Sequence, residues 1–336
     1  MPTDLVAPSW HRLRRALHLI GLGLFVWIVA QLDMGRTVKT LAEANIAYLI
    51  LYVALYFGAM MLRMLRLRRI LIRLGSPITW GTAYEATIEA SLLGSVTPAR
   101  AGEAVKVFSL KQAGVPVNRG FLAVVLERVF DLVVFFVFAL CGVLYFSEFV
   151  SGEGWLSVSV IAFTVVVGGI AAYLLRGYAI ERIGKVVNRL WAKWGGEFPV
   201  SPRAALEAFH SGLAVSWRMM LMYSFFIGVL GALEVYCLAH ALGMEVSFFH
   251  LVFSYAAASL VALAPISFNG LGTREAAYIF LLGLESVGAE SAMLLSILDG
   301  LVLPLLLIAF LSIPLWLKLG NPFARNLDGG RDKSHE

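Results

Sequence analysis

Apolar residues in this chain come in long runs with few interruptions, rather than on one face of each element. Such runs cover 16–32, 46–62, 121–146, 156–175, 219–240 and 291–317. Each approaches the ~20 helical residues that cross ~30 Å of hydrocarbon. The pattern predicts six spanning helices. It lacks the apolar–polar alternation of a transmembrane barrel strand. The first run follows His11-Arg12-Leu13-Arg14-Arg15 and is followed by Gln31-Leu32-Asp33-Met34. No small-residue cleavage site is there, so it reads as a retained helix rather than a signal peptide.

Two further apolar stretches are broken. One, 82–107, is interrupted by Thr97-Pro98-Ala99-Arg100-Ala101-Gly102-Glu103. The other, 247–282, is interrupted by Pro265-Ile266-Ser267-Phe268-Asn269-Gly270-Leu271-Gly272-Thr273-Arg274-Glu275. In both, Pro and Gly end one half-helix and a glutamate opens the next. This predicts re-entrant hairpins, whose irregular turn is tolerated at depth only beneath protein or beside a wet cavity.

The order span, broken hairpin, span occurs twice, over 46–146 and 219–317. Glu127 follows Glu103 by 24 residues, and Asp299 follows Glu275 by 24. One further crossing, 156–175, lies between the copies and inverts the second. Inverted repeats with discontinuous helices are a device of secondary transporters. The expected fold is thus an all-α polytopic membrane protein: six spanning helices plus two re-entrant broken-helix hairpins arranged as an inverted repeat. It forms one transmembrane domain, 1–325, with a disordered tail at 326–336. Cytoplasmic helices are expected over 178–217. In the first, Arg182, Lys185, Arg189 and Lys193 lie beside an apolar stripe of Ile183, Val187, Leu190 and Trp194. That pattern suits a helix on an anionic leaflet, or a connector packed on the bundle. Ser201-Pro202 would open the second, to about Trp217.

Composition agrees. The chain is 60% hydrophobic and 15% charged, against about 45–50% and about 25% in soluble domains. This excludes a soluble enzyme, a disordered chain and a disulfide scaffold. Cys141 and Cys237 sit in apolar runs and read as core residues. The net charge of +5 reports orientation. With a cytoplasmic N-terminus, 21 of the 27 Lys and Arg face the cytoplasm, two (Arg36 and Lys39) face outside, and Arg100, Lys106, Arg128 and Arg274 are embedded. That is a strong positive-inside bias. It places both termini in the cytoplasm of a cell whose cytoplasmic (inner) membrane the chain crosses repeatedly. The cluster Arg63, Arg66, Arg68, Arg69 and Arg73 reads as an anchor. The alternative, a full span at 247–265, would put the basic C-terminal tail outside.

Ionisable residues in a membrane are costly, ~3 kcal/mol each on insertion scales. Here they concentrate on the hairpins, Glu85 and Glu89 included, and the spans that follow, with Glu234 besides. Arg100 and Arg274, beside helix starts at Gly102 and Gly272, could hold an anionic group such as a lipid phosphate. Glu103 and Glu275 could pair with the arginines or with a cationic headgroup. In the structural alternative, a first-turn carboxylate stabilises its helix and an Arg–Glu pair neutralises itself. Glu127, Arg128 and Asp131 fit either a polar pathway or a packing network. No HExxH, P-loop or dinucleotide fingerprint occurs, so no catalytic residue, metal site or cofactor is expected.

The stretch Thr97-Pro98-Ala99-Arg100-Ala101-Gly102-Glu103, with Glu127-Arg128-Val129-Phe130-Asp131, resembles the signatures of the lysylphosphatidylglycerol synthase transmembrane-region family, the flippase-like membrane proteins. So does Asn269-Gly270-Leu271-Gly272-Thr273-Arg274-Glu275. The family includes the flippase domain of the bacterial multiple peptide resistance factor, and the resemblance runs nearly the length of the chain. It departs at Thr97-Pro98-Ala99, where many relatives have proline-glycine, and at Asp299-Gly300, where many carry an arginine. The resemblance implies a flippase for a phospholipid or polyprenyl-phosphate-type lipid. The implied binding and translocation set is Arg100, Gly102, Glu103, Glu127, Arg128, Asp131, Asn269, Gly270, Gly272, Arg274, Glu275 and Asp299. Expected partners are membrane lipids with an anionic headgroup, a second copy of the chain and a separate lipid-modifying enzyme, but not nucleic acid. The rival readings are an embedded lipid-modifying enzyme using Glu103, Glu127 or Asp131 as acid or base, and a non-transporting partner of a glycosyl- or aminoacyl-transferase.

Overall fold

The computed structural model describes residues 42–95, 101–146, 202–262 and 272–320. The apolar runs 16–32 and 156–175, the amphipathic helix expected from 178, and the tail 326–336 lie outside the described residues. So do Arg100, Asn269 and Gly270.

The described residues form helices and no strand. The first triplet is α1 (Ile46–Arg73), the broken pair α2 (Trp80–Ser95) and α3 (Val105–Gln112), and α4 (Val117–Phe146). A 3-10 turn, Ala101–Ala104, leads into α3. The second triplet is α5 (Pro202–Ala241), the broken pair α6 (Phe248–Ala262) and α7 (Thr273–Gly283), and α8 (Ala289–Ile297), which continues through a π turn (Leu298–Val302) into α9 (Leu303–Gly320). Four helical stretches are long and apolar enough to cross a membrane: Ile46–Arg73, Val117–Phe146, Trp217–Ala241 and Ala289–Leu315. They correspond to four of the six predicted spans.

Local chemistry explains the boundaries. Asn45, in extended backbone, caps α1 by accepting the Ala47 N–H at 3.0 Å. The half-helices of the broken pairs have 16, 8, 15 and 11 residues. At ~1.5 Å per residue none exceeds ~24 Å, so none crosses ~30 Å alone. Each break instead brings its halves together: α2 packs on α3 and the 3-10 turn, and α6 packs on α7. The last span is not uniform. Pro304 has no N–H for the carbonyl four residues back, and the helix widens into the π turn just before it.

Three expectations change. The helix that was to end near 62 runs on to Arg73, because the inward stripe of Tyr52, Tyr56, Ala59 and Met60 continues through Arg66, Leu67, Ile70 and Leu71. Arg66 is 3% exposed and is no surface anchor. The cytoplasmic helix expected to stop near Trp217 and the span expected from 219 are one 40-residue helix, α5. Cys237 is buried as expected, but Cys141 is exposed.

Packing between the triplets is reciprocal. Their first helices, α1 and α5, share the most extensive interface. The last helix of each triplet crosses to the other: α4 packs on α5 and α6, and α9 packs on α2. One apolar core fills the first triplet around Leu67, Ile70, Leu110 and Leu126. A second lies around Val235, Leu238, Leu251, Tyr278 and Leu295. A third joins α1 and α2 to α9 through Tyr56, Met60, Ile88, Ile308 and Leu315. Hydrogen bonds from Tyr56 to the Pro304 carbonyl (3.4 Å) and from Tyr84 to the Leu311 carbonyl support it.

Candidate functional site

The buried charges form two networks, one in each triplet. In the first, α4 presents Glu127 and Asp131 one helical turn apart, on one face. Arg66 reaches both from α1. Its guanidinium donates to both oxygens of Asp131, the Nη2–Oδ2 bond being 3.1 Å, and its Nε lies 3.4 Å from Glu127 Oε1. Ser224 of α5 closes the arrangement: it accepts from Arg66 at 2.7 Å and donates to Asp131 at 2.9 Å. Lys106 of α3 donates to the other Glu127 oxygen at 2.7 Å. Signs thus alternate from Lys106 through Glu127 and Arg66 to Asp131, which makes burial tolerable. Glu103, in the 3-10 turn, pairs with Arg128. A Cβ at Gly94 would lie 2.8 Å from Glu103 Cγ, so glycine there makes room for that side chain. Glu89 accepts from Ser109 at 2.6 Å.

In the second network, Arg274 at the start of α7 pairs with Asp299 in the π turn and lies over the Tyr278 ring, 5.6 Å from its centroid. Glu275 pairs with neither. One of its oxygens accepts the Gly272 N–H, and the other accepts from Ser296 at 3.1 Å. It acts as the returning arm of a helix cap, the structural alternative for that residue. Gly272 has φ +86°, a backbone conformation that favours glycine.

The networks exchange one residue pair. At matched 26-residue spacing, the first triplet has Gly102 at the turn and Arg128 on the span. The second has Arg274 at the turn and Gly300 on the span. Both arginines meet an acid across the gap, Glu103 or Asp299. A Cβ at Gly300 would collide with the Arg274 guanidinium. Glycine there allows the arginine to lie on the span.

Between the networks is one cavity of about 180 Å³. At about 30 Å³ per water it fits about six waters or one phosphate-sized group. Its cations include Arg63, Lys106, Arg128 and Arg274, and its acids are Glu103, Asp131, Glu234 and Asp299. Ser91, Ser95, Tyr255 and Ser259 add hydroxyls. Glu127, outside the lining, holds two residues that do line it, Arg66 and Lys106. Arg63 makes no ion pair or hydrogen bond with the described residues.

The structure therefore brings Glu103, Glu127, Arg128 and Asp131 together on one side and Arg274, Glu275 and Asp299 on the other. Gly102 and Gly272 stand at the breaks. The sequence reading missed Arg66 and Arg63 as site residues. The usable signal was the 3–4 spacing that puts both on the face of Tyr56, Ala59 and Met60.

Comparison with known proteins supports a multi-pass membrane protein. The chain is 26% identical over 329 residues to Glycosyltransferase AglD of Haloferax volcanii, a match spanning 86% of this chain and 52% of that one. It is 26% identical over 234 residues to a UPF0104 membrane protein of Methanothermobacter thermautotrophicus, covering 62% of this chain and 66% of that one. It is also 26% identical over 218 residues to a UPF0104 membrane protein of Methanocaldococcus jannaschii, covering 62% and 87%. The chain thus spans about half the length of the first relative and just under two thirds of the second. Residues 16–311 match the family model described as lysylphosphatidylglycerol synthase TM region, and the chain belongs to that family.

Proposed function

We propose that the chain is a lipid flippase of the cytoplasmic membrane, moving a lipid with an anionic headgroup, of phospholipid or polyprenyl-phosphate type, between leaflets. The observation that carries this reading is the charged cavity shared by two helix triplets that exchange their last helices. In this reading the broken pairs are re-entrant hairpins, the triplets are inverted repeats, and the undescribed runs 16–32 and 156–175 complete six crossings with both termini cytoplasmic. The headgroup enters the cavity while its tails remain in the bilayer. Arg63, unpaired with the described residues, and Arg274, whose Nε has no hydrogen-bond partner, supply positive charge for it. Rocking of one triplet against the other alternates access. No chemical step is assigned to the chain.

A second reading has one observation in its favour: about half of the related glycosyltransferase lies outside the match. Here the chain is a membrane partner that holds a lipid-linked substrate for a separate transferase, without transporting it. Reconstitution into liposomes with labelled anionic phospholipid, aminoacylated phospholipid and polyprenyl phosphate separates the readings. A flippase exchanges at least one lipid between leaflets and loses that exchange in Arg63→Gln. A partner exchanges none and co-purifies with the transferase. An embedded enzyme generates a new lipid species.

A further inference from the structure

Glu234 stands apart from the other buried acids. It lies in the membrane-spanning part of α5, lines the cavity and is 8% exposed. Asp131 has Arg66, Glu103 has Arg128, and Asp299 has Arg274. Glu234 has no ion-pair or hydrogen-bond partner among the described residues, and its buried Oε1 is left unsatisfied. An isolated ionised carboxylate is expensive to bury, and a buried unsatisfied polar group calls for an explanation.

Its surroundings indicate the occupant. From α1 it is faced by Arg63, too distant for an ion pair, and by Tyr52; from α6 by Tyr255; and from the π turn by Asp299, already held by Arg274. Cys237 is its neighbour on α5. Arg128 and Asp131 of α4 line the same cavity, each within its own pair. Among the described residues no group of three or more His, Cys, Asp or Glu side chains is placed to hold a metal ion. One proton meets the need: it converts the carboxylate to a neutral acid and itself supplies a hydrogen-bond donor to the cavity.

We infer that Glu234 is a proton-binding site that couples lipid movement to the transmembrane proton gradient. The proton site stands on Glu234 alone; its coupling rests on the transport reading above. An ionised Glu234 repels an anionic headgroup drawn to Arg63 in the same cavity. Protonation removes that repulsion, so proton and headgroup favour each other's binding, and by linkage equally so. They cross together, and nothing is oxidised or reduced. The anionic lipid then accumulates in the leaflet facing the more alkaline side. With one proton per lipid, a gradient of one pH unit shifts its leaflet ratio about tenfold.

The test has two arms on the full-length protein in liposomes. Infrared titration reads the carbonyl stretch of a protonated carboxylic acid. Glu234→Gln, an isostere of the protonated form, should delete a band that titrates in the wild type, and Glu234→Asp should move it without deleting it. Superimposable titrations of all three overturn the proposal. So does a band that responds to sodium at constant pH. The second arm applies a pH gradient and reads the leaflet ratio of labelled polyprenyl phosphate. The wild type should shift it up to about tenfold toward the alkaline side, and Glu234→Gln should not. Exchange that ignores the gradient in the wild type overturns the coupling. Absence of any exchange overturns the transport reading instead, and the infrared arm still decides the proton site.

Discussion

Replacing Arg66 with Met should destabilise the protein by about 2–4 kcal/mol. Both residues are good helix formers of similar length, so backbone propensity is nearly constant and the lost interactions dominate. Arg66 donates to both oxygens of Asp131 and to Ser224, and lies 3.4 Å from Glu127. Without it, Asp131 keeps the Ser224 hydroxyl and Glu127 keeps Lys106. Removing one partner of a buried ion pair costs ~3–5 kcal/mol in soluble proteins. Individual hydrogen bonds inside membrane proteins give less, at most ~1.7 kcal/mol. Several such bonds at that ceiling put the loss between those limits. Reversible unfolding in mixed micelles measures it. The double variant Arg66→Met, Asp131→Leu removes the stranded charge and should recover at least about 1 kcal/mol of coupling energy. A single variant within about 0.5 kcal/mol of wild type, or strict additivity in the cycle, would refute the reasoning.

Other outcomes follow from the second network and from Arg63. Gly300→Ala places a methyl where the Arg274 guanidinium lies. It should lower the unfolding temperature despite alanine's ~1 kcal/mol advantage in helix propensity; a rise would show that the arginine does not need that space. Gly272→Ala forces a side chain onto φ +86° and should cost about 1–2 kcal/mol in the same unfolding assay. An unchanged midpoint would contradict the strained cap. Arg63→Gln breaks no ion pair with the described residues. It should change stability by less than about 0.5 kcal/mol while weakening retention of anionic lipid through detergent purification, read by mass spectrometry. Equal lipid retention would remove Arg63 from the site.

Four of the spans and both breaks were legible because they depend on composition and punctuation. Long apolar runs, Thr97-Pro98 and Gly270-Leu271-Gly272 announce themselves in one dimension. The partners of the buried charges were not, because pairing depends on which helix crosses to which triplet. Glu275 was read as a partner for an arginine or as a cap; the hydrogen bonds to Gly272 and Ser296 make it a cap. Glu103 pairs with Arg128, on the following span. Arg66 was hidden for a different reason. Charge counting assigns any arginine beyond an apolar run to the membrane surface, whereas the helical stripe through Ala59, Met60 and Leu67 carries it inward. The continuous α5 was missed because Arg218 looked like a boundary, although a charge alone does not interrupt a helix; its start at Pro202 is where the Ser201-Pro202 signal put it. The π turn at Asp299 follows from Pro304, whose effect inside an apolar run depends on what packs around it.

A leaflet-resolved lipid comparison of cells with and without the protein tests the central claim most directly. A flippase predicts that one class of anionic lipid shifts between leaflets of the cytoplasmic membrane when the protein is removed, with no lipid species lost or gained. Unchanged leaflet distributions, or a new lipid appearing with the protein, would contradict it.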